Sequence, residues 1–108
     1  MTNVKIFEKN SKIIGYEFSG HTGFSDYGSD IICASISVIA CTCHLGLVKV
    51  LNMKVKHKMR ENDGYFYLKL LKDVDNENAQ TLLKTLAFSL AELAEQYSDF
   101  VKLEIIGG

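Results

Sequence analysis

One histidine and one cysteine lie twelve residues apart in the first third of the sequence, and both could take part in chemistry. His21 follows a glycine, and Cys33 follows a polar segment that ends at Asp30. A thiol beside an imidazole suits nucleophilic acyl transfer, because the imidazole takes the thiol proton and the thiolate attacks a carbonyl. Whether the two side chains meet depends on the elements that carry them.

The residues around Cys33 predict the start of a helix. Asp30 is a residue type that favours the N-cap position, and the apolar run after it predicts a helix from Ile31 to about Leu51. Cys33 would then lie in the first turn, where free backbone N–H groups and the helix dipole favour a thiolate and could hold an oxyanion. Two alternatives stay open: Cys33 could be an inert residue of an apolar helix, and Asp30 could support His21 or only cap the helix.

The other histidines and cysteines are poorer candidates. Eleven residues of helix place His44 about 16 Å from Cys33 along the axis, too far for proton transfer. His57 falls among lysines in a predicted strand, where we expect a structural role. Cys41 and Cys43 point in different directions on a helix, and two further zinc ligands are missing, so neither a metal site nor a cofactor is predicted.

The segment between His21 and Cys33 could contact a substrate. Residues 23–29 are rich in glycine and polar side chains, and they could form a lid over a cleft or an ordinary connection. We expect the substrate contacts to come from this part of the chain and from the helix after Cys33. The candidates are Gly20, Thr22, Gly23, Phe24, Tyr27 and Ser37.

Composition limits the class of protein. The 108 residues, 47% apolar and 23% charged, predict one globular domain over residues 1–108, and the net charge of -1 gives no basic footprint for direct nucleic-acid binding. An odd number of cysteines and an N-terminus without an apolar segment favour a cytoplasmic protein over a secreted one. The run after Ile31 is long enough to span a membrane, but Ser35, Thr42 and Lys49 interrupt it, which favours a core helix.

Hydrophobic periodicity predicts the element order β-β-α-β-β-α-β. Two strands flank a turn at residues 9–12, two more flank Asn62-Asp63-Gly64, and a second helix begins within Asp73 to Asn78. Two hairpins favour antiparallel pairing, so an α+β sandwich is predicted. The first helix is too apolar for the sheet alone to cover it, which suggests contact with a partner subunit.

The sequence resembles the bacterial ribosomal-processing cysteine protease family Prp (YsxB-like) in two short segments. They are Gly20-His21-Thr22 and Ile32-Cys33-Ala34-Ser35-Ile36-Ser37. The family has Gly-His-Ala and, after a glycine-containing loop, Val-Cys-Ala-x-Val-Ser at the start of a helix. The likeness extends over the whole chain in length and element order. Thr22 replaces the family alanine, and isoleucines replace the valines.

The resemblance implies a fold and a function. The fold is a mostly antiparallel five-stranded sheet with two helices on one face. Cys33 would be the nucleophile and His21 the general base, with Asp30 in a supporting place. The implied substrate is the short N-terminal extension of a large-subunit ribosomal protein near the peptidyl-transferase centre, and a homodimer is implied. The alternative is a non-catalytic ribosome-assembly or peptide-binding module that uses the same cleft.

Overall fold

The computed structural model describes residues 1–20, 27–60 and 64–107, with only the backbone described for residues 27–30. Within these residues the elements follow the predicted order, and a π-helical segment, Gly46–Val50, continues the first helix. The strands and helices are β1 Thr2–Lys9, β2 Lys12–Ser19, α1 Tyr27–Leu45, β3 Val55–Arg60, β4 Tyr65–Leu70, α2 Glu77–Gln96 and β5 Val101–Gly107.

The strands form one five-stranded sheet in the order β3-β4-β2-β1-β5. The pairs β1–β2, β2–β4 and β3–β4 are antiparallel, and β5 pairs with β1 in parallel. The predicted α+β class and the mostly antiparallel sheet are therefore confirmed. Asn10 and Ser11 both have positive φ in the β1–β2 turn, as a tight hairpin of this handedness requires.

Both helices pack against the same face of the sheet. Alternate residues of the strands and the buried side of each helix form one core. Within it, the Phe66 ring stacks on Phe18 and Tyr16 at centroid distances of 5.3 Å and 5.7 Å. The Tyr16 hydroxyl donates to the Ala40 carbonyl at 2.8 Å and thereby fixes α1 over the centre of the sheet. The buried stripe of α1 and its continuation is Ile32, Ile36, Ala40, Cys43 and Leu47.

The N-terminus of α1 differs from the prediction. The helix begins at Tyr27, so Asp30 is its fourth residue, and the prediction that Asp30 caps the helix is wrong. Gly28 and Ser29 read as loop residues in the sequence, but each costs a helix no more than about 1 kcal/mol. Extension of an existing helix by one turn adds a hydrogen bond per residue, which offsets that cost.

The outer side of α1 is also apolar. Ile31, Val38 and Leu45 recur every seven residues and are 54%, 64% and 50% exposed. The run Ile31–Val50 is long and apolar enough to cross a membrane by length and composition. The buried side of this run packs against the sheet as part of the core, so we interpret it as a core helix. Its outer stripe, Ile31, Val38 and Leu45, is uncovered. This confirms that the sheet alone does not cover α1.

Candidate active site

Cys33 lies in the second turn of α1, and its half-buried thiol contacts the beginning of β1. The Cys33 Sγ is 3.5 Å from the Thr2 Oγ1. Thr2 is only 2% exposed, and its backbone N–H donates to the Phe100 carbonyl at 2.8 Å. The buried and hydrogen-bonded start of β1 therefore contacts the thiol from one side.

Thr2 also connects Cys33 to the end of β2. Its hydroxyl donates to the Gly20 carbonyl at 3.0 Å. A hydroxyl has a single hydrogen, so in this arrangement the Cys33 thiol donates to the Thr2 oxygen. Because both contacts share that oxygen, the Gly20 carbonyl oxygen lies within about 6.5 Å of the Cys33 sulfur. The residue after Gly20 is His21, so the chain leaves β2 close to the thiol.

Gly20 is required by its backbone conformation. Its φ is 82°, in the left-handed region, and a Cβ at this position would lie 2.9 Å from the Met1 carbonyl oxygen. The glycine thus lets the chain turn away from β2 beside the start of β1.

The position of Cys33 in α1 changes the electrostatic argument for its reactivity. The prediction that it lies in the first turn is wrong, because it is the seventh residue of a helix that begins at Tyr27. The backbone N–H groups of residues 27–30 lie roughly 4 to 9 Å farther back along the axis. Since the dipole effect falls off within the first turn, it acts weakly on Cys33. Helical side chains lean toward the N-terminus, however, so the thiol points toward those N–H groups.

The remaining predicted site residues fall into three groups. Ser37 is half-buried one turn after Cys33 on the same helix face. Tyr27 and Asp30 lie in the first turn of α1, so Tyr27 is helical and not part of a loop. The other four lie outside the described residues: His21, Thr22, Gly23 and Phe24.

The other two cysteines differ from Cys33 in their surroundings. Burial raises the pKa of Cys43 to about 11, although a hydrogen bond with Tyr16 lowers it in part. The Cys43 thiol is therefore protonated at neutral pH. Cys41 is half-buried and packs at the edge of the core. Among the described residues, no group of three or more His, Cys, Asp or Glu side chains could hold a metal ion.

His44 and His57 pack together at the β3 side of the sheet. Their rings stack at a centroid distance of 4.2 Å, and His57 also contacts the Phe66 ring at 4.9 Å. Burial, and then the neighbouring His57, lower the pKa of His44. Pairing of His57 with Leu68 puts it on the helix-covered face, which supports the structural role expected for it.

Thr2 is the residue of the site that sequence reasoning missed. A threonine at the second position carries no motif, and it precedes the alternating apolar residues Val4 and Ile6. The same alternation places Thr2 on the buried face of β1 with those two side chains. A hydroxyl in an otherwise apolar buried row needs a hydrogen-bond partner, and this was the available signal.

Comparison with known proteins identifies the family. The family model described as Cysteine protease Prp matches residues 1–102. The Ribosomal processing cysteine protease Prp of Staphylococcus aureus (strain NCTC 8325 / PS 47) is 26% identical over 92 residues, which cover 85% of this chain and 86% of that protein. The protein of the same name from Bacillus subtilis (strain 168) is 24% identical over 94 residues, covering 84% of each.

Solved structures have the same fold. The Streptococcus mutans protein SMU.848 superposes with a TM-score of 0.91 at 24% identity, covering 100% of this chain and 96% of that one. The S. aureus protease Prp in complex with a substrate peptide has a TM-score of 0.87 at 24% identity, covering 97% and 99%. The same protease with a covalently linked product peptide has a TM-score of 0.86 at 25% identity, with the same coverage.

The family match extends over nearly the whole chain, including both segments that carry the resemblance. It favours an enzyme over the alternative of a non-catalytic binding module. The chain belongs to the family of the cysteine protease Prp and is a cysteine protease.

Proposed function

We propose that this protease removes the short N-terminal extension of a large-subunit ribosomal protein near the peptidyl-transferase centre, during ribosome maturation in the cytoplasm. The observation that carries the proposal is the contact of Cys33 with Thr2, which brings the thiol close to the strand end that precedes His21. The curated relatives from S. aureus and B. subtilis are both ribosomal processing proteases, which supports the substrate class.

In the proposed reaction Cys33 is the nucleophile and His21 the general base. The imidazole takes the thiol proton, and the thiolate sulfur forms a bond to the carbonyl carbon of the scissile peptide. The tetrahedral intermediate collapses as the imidazolium gives its proton to the departing amine, which leaves a thioester on Cys33. Water, deprotonated by the imidazole, then attacks the thioester and releases the acid product and the thiol.

Backbone N–H groups at the start of α1 are the proposed oxyanion donors. The first four N–H groups of a helix have no partner within the helix, and the Cys33 side chain leans toward them. A carbonyl held between the thiol and residues 27–30 would direct its developing negative charge toward these donors. Asp30, in the same turn, is proposed to support His21.

Substrate contacts are proposed along the segment that joins β2 to α1 and along the first turns of α1. Ser37 lies on the Cys33 side of the helix one turn farther on, where it could bind the chain on the other side of the scissile bond. A lid formed by the start of this segment would exclude water from the thioester. The proposed contact residues are Gly20, Thr22, Gly23, Phe24, Tyr27 and Ser37.

We also propose that the protease works as a homodimer through the outer stripe of α1. Ile31, Val38 and Leu45 repeat every seven residues on an uncovered helix face, and the exposed Ala34 lies between the first two. This spacing allows two helices to pack side by side along a narrow seam. A second copy of the chain would supply an identical stripe and cover this apolar surface.

Cleavage of a synthetic peptide tests the proposed function. The peptide spans the N-terminal extension of the ribosomal protein and the first residues of its mature sequence. We expect the wild type to cut it once, Cys33→Ala to give no product, and His21→Ala to be at least about 100-fold slower. Cys41→Ala is the matched control and should keep wild-type activity. If Cys33→Ala cleaves as fast as the wild type, the assignment of the nucleophile fails.

A further inference from the structure

The face of the sheet that points away from both helices, here named the open face, presents rows of basic and aromatic side chains. The pairing register places Lys58 opposite Tyr67, and Lys56 opposite Lys69. The rows continue across β2 and β1, where Tyr67 pairs with Glu17, and Glu17 with Lys5. Because opposite residues share a face, these side chains form one continuous surface.

Charge is distributed unevenly between the open face and the rest of the chain. Among the described residues, and apart from the turn at residues 9–12, the open face has six basic residues and, counting Glu8 at the bulged end of β1, three carboxylates, which gives a charge of +3. The whole chain has a net charge of -1, so the remainder carries -4. The basic residues are Lys5, Lys56, Lys58, Arg60, Lys69 and Lys102, and the other carboxylates are Glu17 and Glu104.

The positive charge is concentrated on the β3–β4 half of the open face. Glu17, on β2, accepts a hydrogen bond from the Tyr65 hydroxyl at 2.8 Å and lies 4.0 Å from the Lys5 amine. On the described parts of β3 and β4 themselves, no carboxylate accompanies the lysines. Lys56 and Lys69 lie directly opposite each other, and like charges in that position destabilise a sheet.

Protection of an exposed sheet edge explains only part of this pattern. Edge strands often carry lysines that prevent pairing with another chain, and β3 is an edge strand with Lys56 and Lys58. Lys69 is on β4, which is paired on both sides, so edge protection does not require a lysine there. An anion that binds between Lys56 and Lys69 would relieve their repulsion. A local rule that a fold breaks in this way is typical of a functional site.

Aromatic rings lie among these lysines. Tyr67 and Phe7 are 6.1 Å apart and tilted by 56°, and together with Lys69 they line a depression of about 400 Å³ in the open face. The Arg60 guanidinium lies 4.1 Å above the Tyr65 ring, so a planar cation also stacks on this surface. Half-exposed rings on a sheet surface offer stacking surfaces for planar groups, and Lys58 and Lys69 lie next to Tyr67 in the register.

We propose that the open face binds a single-stranded segment of RNA. Its phosphates would contact Lys56, Lys58 and Lys69, and a base would stack on Tyr67. Stacking of bases on aromatic side chains beside basic residues is how sheet surfaces bind single strands. The net charge of the whole chain predicts no direct nucleic-acid binding. That net charge is a sum over all residues, however, and it hides the positive charge of the open face.

The choice of RNA over another polyanion rests on the proposed function, because a protease that matures a ribosomal protein meets its substrate beside ribosomal RNA. The open face lies on the opposite side of the sheet from α1 and Cys33, so a bound RNA would leave the active site accessible. RNA binding is measured without any cleavage reaction, so the binding test and the cleavage test can fail separately.

Fluorescence anisotropy with a labelled single-stranded RNA of about twelve nucleotides tests the proposal on the full chain. We expect a Kd on the order of 10 µM in dilute salt, with log K falling against log salt with a slope of about -2 for three phosphate contacts. The double variant Lys58→Glu, Lys69→Glu should bind at least about tenfold more weakly, and its slope should become shallower, between about -1 and 0. Tyr67→Leu should weaken binding about tenfold and leave the slope unchanged.

The matched control is the double variant Lys49→Glu, Lys84→Glu, which reverses the charge of two exposed lysines elsewhere on the chain. It changes the net charge by the same amount as the double variant on the open face. It should bind RNA within about twofold of the wild type. Equal loss in this control would overturn the proposal, and so would equally tight binding of inorganic polyphosphate or anionic lipid vesicles. The single variant Lys56→Glu adds a second readout, because it should raise Tm by removing the repulsion with Lys69 while it weakens RNA binding.

Discussion

Replacement of Thr2 by valine tests whether the hydroxyl that joins Gly20 to Cys33 assists the reaction. Valine keeps the branched shape of a buried strand residue and removes both the 3.0 Å bond to Gly20 and the 3.5 Å contact with the thiol. When the thiolate forms, the Thr2 hydrogen can turn from the Gly20 carbonyl to the sulfur. A hydrogen bond to a charged atom is about twice as strong as a neutral one, so the Thr2 hydroxyl would assist the attack of the Cys33 sulfur on the peptide.

The size of the effect follows from the hydrogen bonds that are lost. One net hydrogen bond contributes about 0.5–1.5 kcal/mol, which corresponds to roughly a 2- to 12-fold fall in kcat/KM for Thr2→Val. Because Gly20 is half-exposed, water can replace the lost donor there, and the free energy of unfolding should fall by no more than about 1 kcal/mol. For a domain of this size such a loss lowers Tm by roughly 4–8 °C.

Two assays separate chemistry from folding. Cleavage of the ribosomal peptide gives kcat/KM, and the rate of iodoacetamide alkylation at Cys33, followed by mass spectrometry, reports thiolate formation without substrate. Thr2→Val should slow both, whereas Thr2→Ser keeps the hydroxyl and should restore both to within about twofold. Equal rates for wild type and Thr2→Val would refute the reasoning. Equal loss in the serine and valine variants would also refute it, since it would indicate a packing effect.

Three further predictions concern the backbone, pH and assembly. Gly20→Ala should lower the free energy of unfolding, measured in urea, by about 1–2 kcal/mol, because alanine is strained at φ 82°. An unchanged urea midpoint would contradict this. The lowered pKa of His44 means that the unfolded chain binds more protons, so stability should fall from pH 7 to pH 5, and His44→Leu should lose most of that dependence. If the proposed homodimer forms through the outer stripe of α1, Val38→Glu should sediment as a monomer in sedimentation velocity, while Lys84→Glu should sediment as a dimer.

Local patterns in the sequence predict much of the scaffold because they depend on neighbouring residues. Strand alternation and turn residues give the element order and both hairpins. The second helix begins within the predicted range, where the Asn76 side chain accepts a hydrogen bond from the Ala79 N–H at 2.9 Å. The start of α1 is different, because Gly28 and Ser29 are typical of loops, and the extension of a long helix offsets their low helix propensity.

Contacts between distant residues are not visible in such patterns. Thr2 and Cys33 are 31 positions apart in the sequence, and the packing of α1 beside the start of β1 brings their side chains into contact. The charge of the open face likewise depends on strand order, since Lys58 and Lys69 become neighbours on one surface only when β3 pairs with β4. Net charge and composition are sums over the whole chain, so they do not show which charged residues become neighbours in the fold.

In the proposed mechanism Cys33 attacks the peptide and carries a thioester. The most direct measurement is the intact mass of the protease, quenched in acid within the first turnover of the ribosomal peptide, with the adduct located by digestion. We predict an adduct with the mass of the acyl fragment on Cys33, which disappears as product accumulates and is absent in Cys33→Ala. Product formation without an adduct on Cys33, or an adduct on Cys41 that decays at the rate of turnover, would contradict the account.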